Sequence, residues 1–202
     1  MKQSDKNSKS HKQSDSLDDP ADSPWQTNSH TIAYNNPWIA VSHRRVTTPG
    51  GDKGEYGVVH YKNKAIGIVP VTSEGKLIMV KQFRYPIGMH CIEIPAGGCP
   101  ESEEPLATAK RELEEETGFQ SSNWQLIAKM HLSNSISDEQ AEIFLATDVE
   151  HTGEAALEST EADLEVLEIG FQEVLGMIDR FEITDSLTVA GILQAVRYLP
   201  SD

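Results

Sequence analysis

GGCPESEEPLATAKRELEEETGF, residues Gly97 to Phe119, sets Glu112, Glu115 and Glu116 close enough on one short segment to repel one another. The pattern predicts a helix over roughly Glu104–Thr117. Pro105 suits a first turn, where its missing N–H costs nothing, and Gly118 follows as a C-cap. At about 100° per residue, Leu106, Ala109 and Leu113 fall on one apolar stripe. Glu112 and Glu116 lie one turn apart beside it, and Glu115 is rotated toward solvent. Like charges at this spacing destabilise a helix by roughly 0.2–0.5 kcal/mol per pair, and RELEEE holds no lysine to offset them. A bound cation is one device that offsets such crowding, because hard cations such as Mg²⁺ take oxygen ligands. The glycines of the preceding IPAGG let backbone approach closely, and its carbonyls are further oxygen donors. The competing reading of an acidic run is a solvated helix face.

Away from this helix the chain changes period. TIAY, WIAVSHRRV, YGVVHY, AIGIVPV, KLIMVKQFRY and CIEIPA precede it as short β-rich runs. Turn signals such as TPGGDKG, KNK and TSEGK separate them. WQLIAKMHL, AEIFLATDV and LEVLEIGF follow as strands, then FQEVLGMIDRF and SLTVAGILQAVRYL as amphipathic helices. Strands, a central helix, more strands and terminal helices predict an α+β domain with a mixed sheet, spanning residues 25–202. Residues 1–24 are rich in Ser, Asp and Lys, with four lysines against five aspartates. They have too little apolar surface to offset the entropy of ordering and are predicted to be a disordered tail.

The 202 residues carry a formal net charge of −15. That excludes proteins that grip nucleic acid or anionic membrane through clustered Lys and Arg, but not one that takes a small phosphorylated ligand with its own metal. Cys91 and Cys99 lack CxxC spacing and cannot build a disulfide framework, so they read as reduced thiols. No run approaches the roughly 20 apolar residues of a membrane span, and the N-terminal lysines precede no apolar stretch. The expected compartment is the cytoplasm. Seven histidines form no HExxH or HxH pair, and GGDKG lacks the ending of a phosphate-binding P-loop.

Gly97, Glu103, Arg111, Glu112, Leu113, Glu115, Glu116, Gly118 and Phe119 match, position by position, the 23-residue signature of the Nudix hydrolases, and the chain resembles that family over about residues 31–200. The resemblance implies a Nudix α/β/α sandwich with a mixed sheet, plus N-terminal antiparallel strands over about 31–62. It implies Mg²⁺ or Mn²⁺ as cofactor, with Glu112, Glu115, Glu116 and the Ala96 carbonyl as metal ligands, and Glu103 paired with Arg111 to hold the loop against the helix. KQFRYPIGMHCIEIPAGG further resembles the ADP-ribose and nucleoside-diphosphate-sugar pyrophosphatase branch. This implies cleavage of a nucleoside diphosphate sugar, ADP-ribose-like or GDP-mannose-like, to a nucleoside monophosphate and a sugar phosphate. It also implies substrate contacts from Arg84, Glu93 and Gly97, and a homodimer whose N-terminal strands cross to the partner. Trp38 is the candidate to stack on the base. One departure is Asn134, which stands where ADP-ribose enzymes carry a proline.

The resemblance also calls for a general base on an acidic loop after the signature. LESTEADLEVLEI offers Glu158, Glu161 and Asp163, of which Glu161 is favoured, with Glu139 second in line near the metal and substrate. Arg111, Glu115 and Glu161 complete the expected catalytic set. Two other functions fit the same signature. One is a non-catalytic nucleotide sensor that keeps the fold, and the other is a hydrolase of a dinucleotide or damaged nucleotide.

Overall fold

The computed structural model describes residues 19–157 and 159–199. Strands β1 (Gln26–Asn35), β2 (Ile39–Thr47) and β3 (Lys53–Tyr61) form an antiparallel sheet of their own. The first strand begins earlier than the expected Thr31. The Asp19 carboxylate fixes Thr27 by accepting from its backbone N–H at 2.5 Å and its hydroxyl at 2.8 Å. The greater part of the expected tail, residues 1–18, lies outside the described residues.

The second sheet builds around β4 (Lys64–Val71), whose residues are buried on both faces from Ile66 to Val71, as a central strand requires. Strand β5 (Lys76–Arg84) turns back from it, but the two pair only at Val71 and Leu77. Beyond that point they splay. Strand β6 (Met89–Glu93) pairs with β5 and β7 (Ala96–Cys99) with β4, so the IPAGG stretch fills the opening. The Pro95 carbonyl there accepts from the Ile68 N–H at 2.9 Å.

Helix α1 (Pro105–Thr117) leads to β8 (Phe119–Gln120), β9 (Asn123–His131), β10 (Gln140–Thr147) and β11 (Glu150–His151). After β12 (Glu165–Gly170) come α2 (Phe171–Asp179) and α3 (Ser186–Ala195). The sheet order is β12-β5-β4-β10-β9, with β10 parallel to β4 and the other pairs antiparallel. Helix α1 covers one face over Ile66, Ile68, Ile78 and Phe144. Helix α3 covers the other over Val69, Ile94, Ile143 and Leu145. Each fully buried aliphatic side chain contributes about 1.5–3 kcal/mol, so the two layers are held by the hydrophobic effect. This is the expected mixed-sheet sandwich with a separate N-terminal antiparallel sheet. Among the described residues no helix is long and apolar enough to cross a membrane.

One detail of α1 differs from expectation. Its buried residues are Thr108, Ala109, Glu112, Leu113, Glu116 and Thr117, whereas Leu106 is 38% exposed. The packed face is therefore centred near Ala109 and Glu116, and Leu106 sits on its rim. The carboxylates belong to the buried face instead of lying beside it.

The end of α1 is set by Gly118, whose φ of 73° is left-handed and whose N–H bonds to the Glu114 carbonyl. Its own carbonyl accepts from the Thr152 N–H at 2.9 Å, and an added Cβ would stand 2.2 Å from the Gly153 carbonyl oxygen. Gly118→Ala is therefore expected to destabilise the protein by about 1–3 kcal/mol, read from urea unfolding midpoints. A change within about 0.5 kcal/mol would mean that the Gly153 segment yields freely.

Candidate active site

The glutamates of α1 face β7 across a space that only glycine leaves open. A Cβ on Gly97 would fall 1.9 Å from the carboxyl carbon of Glu112 and 2.0 Å from its Oε1. One turn on, Glu116 Oε2 accepts from the Ala96 N–H at 3.1 Å. Glu112 is 9% exposed and Glu116 2%. Burial raises the Glu112 pKa against the pull of Arg111. Burial, then the charges of Glu161 and Glu112, push Glu116 up to about 8. Burying like carboxylates in this way disfavours ionisation.

Arg111 gathers the remaining acids. Its guanidinium donates to Glu103 through Nε and Nη2, at 3.3 and 3.2 Å. Its Nη1 lies 2.8 Å from Glu115 Oε2 and 2.9 Å from Glu112 Oε1. The expected Glu103–Arg111 pair is thus present, and Arg111 also occupies the two signature acids on its own side. Among the described residues no three His, Cys, Asp or Glu side chains converge into a ready metal cage. Hard carboxylate oxygens at i and i+4, crowded and buried together, nevertheless fit a divalent cation by donor type and by charge.

The other expected residues divide into two groups. Arg84 at the end of β5 donates from Nε, at 3.0 Å, and from Nη2 to the buried carboxylate of Glu93 on β6. That bond further favours the charged guanidinium of Arg84, and the field of Glu116 reaches it too. Glu161 ends a short 3₁₀ turn, Ser159–Glu161, and its charge raises the proton affinity of both Glu112 and Glu116. Arg84, Glu93, Glu112, Glu116 and Glu161 therefore share one electrostatic neighbourhood.

The residues of the second group have other immediate neighbours. Glu139 lies just before β10, beside Asp138 and Tyr61, and its pKa is raised by burial and then by Asp138. Trp38, between β1 and β2, is 67% exposed. Asn134 falls in a turn closed by the Ile136 and Ser137 N–H groups on the Ser133 carbonyl. Glu158 lies outside the described residues. A cleft of about 510 Å³ opens beside Glu103, Lys64 and Asp138, but Glu93, Glu112, Glu116 and Glu161 do not line it. Sequence reasoning missed the Ala96 N–H as a partner of Glu116, and Asp163 as an acceptor for the Phe83 N–H at 2.9 Å. The second joins residues 80 apart, a pairing that no local pattern signals.

Comparison with known proteins gives the family of the chain and its fold. A family model described as NUDIX domain matches residues 61–183. The chain is 35% identical over 147 residues to the ADP-ribose pyrophosphatase of Bacillus subtilis (strain 168), covering 73% of this chain and 79% of that one. It is 32% identical over 174 residues to the ADP-ribose pyrophosphatase of Mycobacterium tuberculosis, covering 86% and 84%. A crystal structure of an ADP compounds hydrolase superposes with a TM-score of 0.77 at 16% identity, over 87% of this chain and 94% of that one, and shares its fold.

The raised Glu116 pKa has a consequence for stability in the absence of metal. Unfolded, the group titrates near the ordinary glutamate value of 4.5, and folded it titrates at about 8. Between those values the folded state keeps a proton that the unfolded state releases, so this contribution falls as pH rises toward 8. In a chelator-containing buffer the melting temperature is expected to drop from about pH 5 to about pH 9, and Glu116→Gln to flatten that drop. An unchanged slope in the variant would assign the dependence to other groups.

Proposed function

The chain belongs to the Nudix hydrolase family, and we propose that it is a metal-dependent pyrophosphohydrolase of a nucleoside diphosphate sugar. ADP-ribose is the leading substrate, with a GDP-mannose-like sugar nucleotide as the variant. The observation that carries this reading is the pair of buried carboxylates, Glu112 and Glu116, held against the Ala96–Gly97 backbone, with the charges of Glu161 and Arg84 acting on Glu116. It sits in a chain whose relatives are named ADP-ribose pyrophosphatases.

Glu112, Glu115, Glu116 and the Ala96 carbonyl would hold Mg²⁺ or Mn²⁺. The ion supplies neutralisation of diphosphate oxygens and acidification of water. Arg111 takes one oxygen of Glu112 and one of Glu115, which leaves the second oxygen of each for the ion, and its bonds to Glu103 keep the loop before α1 in place. Arg84 gives Nε and Nη2 to Glu93, so Nη1 is its donor for a diphosphate oxygen. Glu161 accepts the proton of the water that attacks one phosphorus. The anhydride P–O bond breaks, and the leaving phosphate departs with the bonding electrons. The products are a nucleoside monophosphate and a sugar phosphate.

The N-terminal sheet supports a homodimer. Ile32, Tyr34 and Trp38 on β1 and the β1–β2 turn are 46%, 54% and 67% exposed, a concentration of apolar surface that a second copy would cover. Trp38 is then the aromatic offered to the base. The net charge of −15 supports a protein with no nucleic-acid or anionic-membrane partner.

Two measurements test the reading. With Mg²⁺ and a panel of ADP-ribose, GDP-mannose, ADP-glucose and diadenosine polyphosphates, mass spectrometry is expected to find a nucleoside monophosphate and a sugar phosphate from a sugar nucleotide. Turnover confined to the diadenosine compounds, or none at all, would overturn it. Glu161→Gln is expected to lower kcat by roughly 10²–10⁴, the range for loss of a general base, while KM stays near the wild-type value. A wild-type rate would remove Glu161 from the role.

A further inference from the structure

The segment that carries Glu161 is tied down at both ends. At its start, the Thr152 N–H bonds to the Gly118 carbonyl at 2.9 Å and the Ala156 N–H to the Glu115 carbonyl at 2.7 Å. These bonds hold the segment to the end of α1. Its other end meets the β5–β6 hairpin. The last register pair of β12 with β5 is Glu165 with Lys81, so the Phe83 amide lies beyond the ladder. Asp163 Oδ2 accepts that amide at 2.9 Å and takes the place of a strand carbonyl. His90, the register partner of Phe83 on β6, packs edge-on to its ring at 5.3 Å and brings Nε2 to 4.0 Å from Asp163 Oδ2.

Glu161 stands two residues before this tie. The Leu164 N–H closes the turn on the Glu161 carbonyl at 2.8 Å, and Leu164 is buried. On the hairpin side, the residue after Phe83 is Arg84. One carboxylate-to-amide bond therefore links the element that bears the proton acceptor to the element that bears the diphosphate-binding arginine.

We propose that Asp163 is a positioning residue, which by capping the Phe83 amide holds the turn that bears Glu161 in register with Arg84 beside the end of α1. The proposal rests on the reading of Glu161 as proton acceptor. The role of Asp163 is geometric, because a neutral side-chain carbonyl can accept the same amide hydrogen.

The test uses the full-length protein with Mg²⁺ and ADP-ribose, and variants Asp163→Ala, Asp163→Asn, Glu161→Gln and Asp163→Ala/Glu161→Gln. Asp163→Ala is expected to lower kcat by roughly 10–100-fold, the scale of a small misplacement of a catalytic group, with KM within about threefold. Hydrogen exchange at the Phe83 amide is expected to accelerate in the same variant, a readout that does not depend on turnover. Asp163→Asn should restore both to near wild type. In the Glu161→Gln background, Asp163→Ala should cause no further loss, because residues acting through one another are non-additive. The proposal is overturned if Asp163→Asn is as impaired as Asp163→Ala, which would give the carboxylate charge a direct role. Additive losses, or an unchanged Phe83 amide, overturn it equally. A wild-type rate in Glu161→Gln overturns instead the reading on which it rests, and the Phe83 exchange tells the two failures apart.

Discussion

Two carboxylates are buried where α1 meets β7, and most of the architecture around them follows from that placement. Glu112 fits only because Gly97 has no Cβ, and Glu116 is held by the Ala96 N–H. Burying carboxylates costs free energy unless charge or hydrogen bonds compensate. Here Arg111 compensates one side of the pair and a raised pKa relieves the other. A helix packed for stability alone would place aliphatic side chains at these positions.

The splaying of β4 and β5 makes room for that contact. Because the two strands pair only at Val71 and Leu77, β6 and β7 enter the sheet between them and carry IPAGG to the face of α1. The same opening brings Arg84 and Glu93 to one place from adjacent strands. The chain after β11 returns across α1 and joins the hairpin through Asp163. Helix, hairpin and acidic segment are thus three separate pieces of chain joined by hydrogen bonds from backbone amides to carbonyls and carboxylates.

The N-terminal sheet is attached differently. It docks through β3 onto the segment before β10, where the Val59 N–H bonds to the Ile136 carbonyl at 2.9 Å and Asp138 accepts from the Tyr61 N–H at 3.0 Å and pairs with His60 at 2.6 Å. The attachment is polar, while Trp38 and Tyr34, the most exposed aromatics of this sheet, lie toward the β1–β2 turn. The sheet is therefore fixed to its own body by hydrogen bonds and offers its apolar surface outward.

Features that are local and periodic were legible in the chain alone. The helix over Pro105–Thr117, its Gly118 cap, the alternating strands and the signature acids each depend on neighbours within one turn or one strand. The Glu103–Arg111 pair was legible as well, through the match to a known signature. Contacts between distant segments emerged only on folding. Leu106 moved to the rim because the face of α1 is chosen by the surface it meets, not by its own periodicity. Glu116 acquired its high pKa from burial under β7, and Asp163 found the Phe83 amide 80 residues away. Side-chain pattern specifies which residues can be buried or charged, but the partner of each is set by how the sheet closes, and that is a property of the whole chain.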